Sequence, residues 1–192
     1  GKNRVEQVTL SKVDKYGNIL EGCDISYDCD TIVLSMGLTP ENNISKDAGI
    51  IMSSSGGPRV DEKLETSIDG IFACGNAVYV HDEVKEVKDD GCIAGRNAAL
   101  YVKDIINNKI NNINVISGAG IKYSSPNIIN IGNIDQYANI ALRSDNLYKN
   151  VYLSVYFDDK NVMNNYKNLL KPGKLETIRI PQILINKYAN LK

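Results

Sequence analysis

The chain has 192 residues, 43% hydrophobic and 23% charged, with 22 Lys and Arg set against 23 Asp and Glu for a formal net charge of −1. Balanced charge with scattered basic residues excludes the electrostatic footprint of a nucleic-acid binder or an anionic-membrane binder. No apolar run approaches the roughly 20 residues of a membrane span, and no charged-then-apolar leader opens the sequence, so the expected setting is cytoplasmic.

A chain of this length buries a real core in one or two domains. Its four cysteines, Cys23, Cys29, Cys74 and Cys92, form no C-x-x-C pair, and the single histidine, His81, leaves a zinc site short of ligands. The expectation is no metal site, and reduced, mostly buried thiols.

In chain order, Val5, Val8, Leu10 and Val13 lead to the polar turn Lys15-Tyr16-Gly17-Asn18, and Ile19-Leu20 begins the return of a hairpin. Ile25 and Tyr27 precede Asp30 to Ser35, an apolar run of the length of a buried strand. It ends at Gly37, where backbone can approach a ligand closely, and at Pro40, which fixes the exit of the turn. Residues 44–51 are a short segment and Ser53 to Pro58 a solvated loop. Ile71-Phe72-Ala73 reads as a short buried strand with Cys74-Gly75-Asn76 as the turn at its carboxyl end, the place where open α/β sheets bind ligands.

His81, beside Asp82 in a surface loop, reads as structural rather than as an acid or base. A helix is expected to open at Asp89-Asp90-Gly91, capped by one of the two aspartates. Its Ala94, Gly95 and Ala98 leave room for a bulky group against the backbone, and its amino end suits an electron-rich ligand edge. The apolar spacing of Ala94, Ala98, Tyr101, Val102 and Ile105 carries the helix on, until Asn107-Asn108-Lys109 and Asn111-Asn112 break it.

Alternation dominates from Ile113. Val151, Leu153, Val155 and Phe157 share one face, and Tyr152, Ser154 and Tyr156 the other. Similar pieces at 120–131, 137–143 and 175–185, with a tight turn at Pro172-Gly173, predict a small antiparallel β domain built as a two-layer sandwich. Gly118-Ala119-Gly120 is no dinucleotide turn, because no helix is expected after it.

Three stretches carry a family resemblance. T-S-x-x-G-I-F-A-x-G-N at 66–76 resembles the second FAD motif of the FAD-dependent pyridine nucleotide-disulfide oxidoreductases. D-G-C-I-A-G-R-N-A-A at 90–99 is similar to the flavin-facing helix of their thioredoxin-reductase-like branch, and C-D-T-I-V-L-S-M-G-L-T-P-E-N-N at 29–43 to the junction of their two nucleotide domains. L-K-P-G-K-L-E-T-I at 170–178 resembles an accessory carboxyl-terminal domain of one anaerobic branch.

The resemblance implies an α/β plus all-β chain, a partial two-dinucleotide-domain fold followed by the β domain. Residues 1–45 would end the pyridine-nucleotide domain, 46–110 would be the carboxyl-terminal part of the FAD domain, and 111–192 the accessory domain. Implied FAD contacts are Gly37, Pro40, Ala73, Cys74, Gly75, Asn76, Glu83, Gly91, Cys92, Ile93 and Ala94, with no catalytic residue of the chain's own. Asn76 stands where the family usually has Asp, so its amide carbonyl would accept from a ribityl hydroxyl without charge.

The chemistry implied for the parent is hydride transfer from NAD(P)H to the flavin. No G-x-G-x-x-G unit is present. The chain therefore looks like the carboxyl-terminal portion of such an enzyme, inactive by itself, whose partner is the missing amino-terminal half. Unpaired strand edges suggest a homodimer. The alternatives are a non-catalytic interaction or dimerisation module derived from such an enzyme, and a self-contained binding protein for another nucleotide.

Overall fold

The structure is a computed structural model that describes residues 1–14, 17–35, 37–103 and 111–189. It divides into two compact units, Gly1–Leu38 and Thr39–Lys192.

In the first unit β1 (Gln7–Leu10) pairs antiparallel with β2 (Ile25–Asp28), placing Val8 opposite Tyr27 and Leu10 opposite Ile25. A bridge between Val13 and Ile19 carries the ladder toward the turn, where Gly17 adopts φ +87 and the Asp14 carboxylate accepts from both the backbone and side-chain amides of Asn18. The hairpin thus follows the alternation and the glycine turn, although Lys15 and Tyr16 lie outside the described residues. The run Asp30 to Ser35 does not form the expected buried strand: it has no regular structure, with Val33 89% and Leu34 73% exposed. Among the described residues no strand pairs with it, and the Asp30 carbonyl accepts from Arg4 Nε at 3.1 Å. Met36 lies outside the described residues.

The second unit opens with α1 (Asn43–Asp47) and a series of tight loops, then α2 (Val84–Val102). Ser53 to Pro58 is a solvated loop only at Ser54 and Gly56, and its base is buried and bonded. Ser53 N–H donates to the Gly57 carbonyl at 2.8 Å, the Ser55 hydroxyl donates to the Val78 carbonyl at 2.6 Å, and Pro58 is fully buried. A β-carbon on Gly57 would run into the Val78 carbonyl, so glycine is what lets the two segments pass this closely.

Beyond α2, nearly everything is antiparallel. Asn107-Asn108-Lys109 and Ile105 lie outside the described residues. At Asn111 the chain takes φ +66 before β3 (Asn112–Asn114), which pairs with β5 (Ile128–Asn130). The central sheet has the order β4 (Ile121–Ser125), β6 (Tyr137–Ser144), β9 (Glu176–Pro181). A separate hairpin joins β7 (Tyr148–Phe157) to β8 (Lys160–Leu170). As the alternation predicts, Leu153 points into the core while Tyr152 and Tyr156 are exposed. The turn at Pro172-Gly173 is closed by Lys174 N–H to the Lys171 carbonyl at 3.0 Å. A strand follows Gly118-Ala119-Gly120, not a helix.

The predicted strand 175–185 is cut short. After Pro181, whose φ of −60 suits a helix start, α3 (Gln182–Tyr188) places Ile185 at 0% exposure. The central sheet is covered on both faces, and this positions everything below. Ala138, Ile140 and Leu142 of β6, with Ile178 and Ile180 of β9, meet Leu153 of β7 and Ile185 of α3 in one core. From the opposite face, Tyr123 of β4 and Ala141 of β6 join Val60, Leu64, Val78, Tyr79 and Ala94 in a second. Each buried aliphatic side chain contributes about 1.5–3 kcal/mol, so the second core holds α2 and its preceding loop onto the sheet.

Candidate functional site

The segment 64–76 is a pair of turns rather than a strand and its exit. Only Glu65 and Phe72 form a bridge, with Thr66 N–H donating to the Ile71 carbonyl at 2.8 Å and Ala73 N–H to the Leu64 carbonyl at 3.0 Å. Gly75 then starts a single 3-10 turn, Gly75–Ala77, at φ +63. Buried Asn42 fastens this turn by donating to the Ala77 carbonyl at 2.8 Å and the Gly56 carbonyl at 3.0 Å.

The helix that follows begins seven residues earlier than the sequence suggests. Glu83 is its N-cap, and a reciprocal capping box with Glu86 fixes the start at Val84. Glu86 Oε2 accepts from the backbone N–H groups of Asp82 and Glu83, both at 3.2 Å. Gly91 is therefore mid-helix, Asp89 and Asp90 are not caps, and the chain's own carboxylates take the N–H groups of Asp82, Glu83 and Glu86 at the amino end. An exposed glycine in a helix interior costs about 1 kcal/mol, a cost that a capped helix of 19 residues absorbs.

His81 is buried rather than on a surface loop, its side chain 1% exposed. Its ring stacks on Tyr79 with centroids 4.3 Å apart, Nε2 lies 2.9 Å from Asp90 Oδ2, and Nδ1 lies 3.3 Å from Asn76 Oδ1. The same Asn76 oxygen accepts the His81 backbone N–H at 3.0 Å. His81 is thus a structural link that ties the Gly75 turn to α2. The Asn76 oxygen already accepts the His81 backbone N–H. Among the described residues the Asn76 amide N–H2 group has no partner, so what this side chain presents outward is a donor.

The predicted contact residues fall into separate groups. Ala73, Cys74, Gly75 and Asn76 form the turn; Ala73 and Cys74 pack on the same core that buries Ala94, and a β-carbon on Gly75 would come 3.1 Å from Val87 of α2. Gly91, Cys92 and Ile93 are exposed along the helix, where a β-carbon on Gly91 or Gly95 would meet nothing within 4 Å. Glu83 is the cap. Gly37, at φ +89, belongs to the first unit, and Pro40, half-buried, to the second. All four cysteines are free, but Cys23 and Cys92 are exposed and the other two only partly buried, against the expectation of mostly buried thiols. Burial, and then the charge of Asp90, push the Cys74 thiol up from its ordinary value.

Between α2 and the outer face of β6 and β9 lies a cleft of about 740 Å³. Carboxylates of Asp61, Glu62, Glu86, Asp89, Asp90 and Asp135 line it, against one guanidinium, Arg179. Burial, and then the neighbouring Glu62 charge, push the Asp61 carboxyl up to about 6, although it accepts the backbone N–H groups of Lys63 and Glu65 at 2.9 Å each. The floor is Tyr79, 8% exposed, whose hydroxyl has no hydrogen-bond partner among the described residues. Burial and the charges of Asp90 and Glu86 raise its ionisation above the ordinary phenol range.

Sequence reasoning passed over this cleft, and over Arg143. The Arg143 guanidinium donates to the Tyr123 hydroxyl at 2.8 Å, the Pro172 carbonyl at 3.1 Å, the Val80 carbonyl at 3.0 Å and the Asp82 carboxylate at 2.6 Å. In the sequence it is the end of an alternating run, and nothing local marks the distant partners.

Residues 2–91 match the family model described as pyridine nucleotide-disulphide oxidoreductase. Over 69 residues the chain is 38% identical to the NADH oxidase of Streptococcus pneumoniae (strain ATCC BAA-255 / R6), a stretch that covers 36% of this chain and 14% of that protein. The chain thus spans a small fraction of the length of the curated relative it matches. No solved structure matches significantly. Among the described residues no helix is long and apolar enough to cross a membrane, and no three His, Cys, Asp or Glu side chains come together as a metal site.

Proposed function

We propose, from the match of residues 2–91 to the pyridine nucleotide-disulphide oxidoreductase family model, that the chain is a carboxyl-terminal region of an FAD-dependent, NAD(P)H-linked oxidoreductase that supplies the ribityl side of the flavin site. The observation that carries this reading is the close union of the Gly75-Asn76 turn with α2, made by Gly75 against Val87 and by His81 between Asn76 and Asp90.

The residues present fit such a group in part. The open backbone at Gly91 and Gly95 leaves room for a broad planar ligand on the outer face of α2, and Asn76, joined to α2 through His81, has a free amide donor. Asn76 would hold a ribityl hydroxyl by donating to it, not by accepting from it. At the capped amino end of α2 the N–H groups of Glu83 and Glu86 already have carboxylate partners, which leaves fewer donors there for a flavin. The chemistry that FAD supplies when bound is acceptance of hydride from a nicotinamide. This chain's part is to position it.

A dinucleotide-binding half, on the same polypeptide or supplied by another, completes the site in this reading, and the chain alone binds FAD weakly because a partial site does not repay the cost of ordering. The test combines the chain with such a half and follows visible flavin absorbance and its bleaching by NADH. The expected result is a yellow, NADH-reducible preparation in which Asn76→Ala weakens FAD retention. A folded but colourless preparation, or one indifferent to Asn76→Ala, would overturn the proposal.

A further inference from the structure

The cleft between α2 and the β6–β9 face has a use of its own, independent of the flavin reading: of the predicted flavin contacts only Ile93 lines it. Three features bear on what it takes. Six carboxylates line it against the single guanidinium of Arg179, and Asp89 and Asp135 have no ion-pair or hydrogen-bond partner among the described residues. The carboxylates are spread around about 740 Å³ of space, and no three of them converge closely enough to hold a metal ion. At the floor sits a phenol that is 8% exposed and unpartnered, with Asp90 and Glu86 as its charged neighbours.

The Tyr79 hydroxyl opens on a space large enough for a ligand, so a bound group able to donate to it makes a hydrogen bond that no described residue supplies. Dispersed negative charge favours a cation that is itself extended, because a compact ion reaches only one or two of the carboxylates at bonding distance. We infer that this cleft binds a small organic amine, whose ammonium group donates to the Tyr79 hydroxyl and to the Asp90 side of α2 while a second polar end lies toward Asp89 and Asp135.

An α,ω-diamine is the simplest molecule with that pattern. Its flexible methylene stem suits the part-apolar walls given by Leu64, Ile93 and Ala141.

The test is calorimetric titration of the whole chain with putrescine, with butylamine, and with magnesium chloride at matched ionic strength. Saturable one-site binding of putrescine is expected, with butylamine several-fold weaker and magnesium giving no saturable heat. Tyr79→Phe keeps the ring stacked on His81 and removes only the hydroxyl; it should weaken putrescine about five-fold, as the loss of one hydrogen bond does. Asp89→Asn, on the exposed side of the helix, should weaken it by a smaller factor. Circular dichroism and thermal midpoints establish that both variants are folded. Absence of saturable putrescine binding, equal binding of magnesium, or unchanged affinity in folded Tyr79→Phe would each overturn the inference.

Discussion

Asp82 and Arg143 stand 61 residues apart in the chain and meet at 2.6 Å, Asp82 Oδ1 accepting from the guanidinium while its Oδ2 accepts the Leu175 backbone N–H, also at 2.6 Å. One carboxylate thereby binds the segment that leads into α2 to β6 and to the residue just before β9. Burial acts to raise the Asp82 carboxyl, but the Leu175 N–H and the Arg143 guanidinium outweigh it and hold the group below its ordinary value.

Removing the guanidinium tests how much this latch contributes. Arg143→Ala strips four hydrogen bonds at once and leaves Asp82 partly buried without its cation, so a loss of about 3 kcal/mol is expected. Arg143→Lys should recover less than half, because an ammonium has no fork to span Tyr123, Val80 and Asp82 together. Urea unfolding reads both, and an Arg143→Ala midpoint equal to that of the parent would show that the latch adds nothing.

Asp61 gives the molecule a pH dependence opposite in sign to that of Asp82. Its carboxyl is raised from the ordinary 3.8 to about 6 in the folded chain, so between those values the native state holds a proton that the unfolded state has released. Stability therefore falls as pH rises through that window and levels off above it. Asp61→Asn keeps an oxygen for the Lys63 and Glu65 amides, and should be about 1–2 kcal/mol more stable than the parent at neutral pH. The gain should vanish at acid pH, where the parent carboxyl is neutral too. Chemical denaturation at both pH values checks it, and a gain that persists in acid would contradict the assignment.

The lowered carboxyls behave the other way. Asp82, and Glu176 where burial is outweighed by Lys167 and Lys174, contribute stability at neutral pH that is lost as pH falls through their depressed folded values. Replacing Lys167 with Met should flatten the acid limb of a stability–pH curve. An unaltered acid limb would mean the 2.5 Å contact between Lys167 and Glu176 carries no linkage.

Two glycines should respond in opposite directions to alanine. At Gly57 the added carbon meets the Val78 carbonyl, and the Ser53–Pro58 loop must move away from the Gly75 turn it supports, so Gly57→Ala is expected to cost more than about 2 kcal/mol. At Gly95 nothing lies within 4 Å, and alanine should add about 1 kcal/mol through helix propensity. Thermal melts of the pair decide it; similar shifts for both would contradict the packing described.

His81→Ala would leave Asp90 without its partner at 2.9 Å and Tyr79 without the ring stacked on it. A loss of about 2–4 kcal/mol is expected, together with faster hydrogen exchange at 75–90, the stretch that the histidine joins. Exchange there that matches the parent would leave the linking role unsupported.

Much of this protein was written in local sequence. The hairpin around Gly17, the alternation of residues 151–157 and the turn at Pro172-Gly173 each depend on neighbours within a few positions, and each is found. The match of residues 2–91 to the oxidoreductase family model likewise includes two of the short strings singled out in the sequence, at 29–43 and 66–76. Placement was different. Where α2 begins was decided by a reciprocal cap between Glu83 and Glu86 that outcompeted the Asp89-Asp90-Gly91 signal, and the apolar run Asp30 to Ser35 stayed exposed because a strand needs a neighbour that periodicity cannot supply.

The cleft lay beyond reach of the sequence for the same reason. Tyr79, Asp61, Asp89 and Arg179 come from four segments, and only the double-faced central sheet brings them around one space. Local pattern fixes which face of an element is apolar; which element covers that face is settled by the packing of the whole chain.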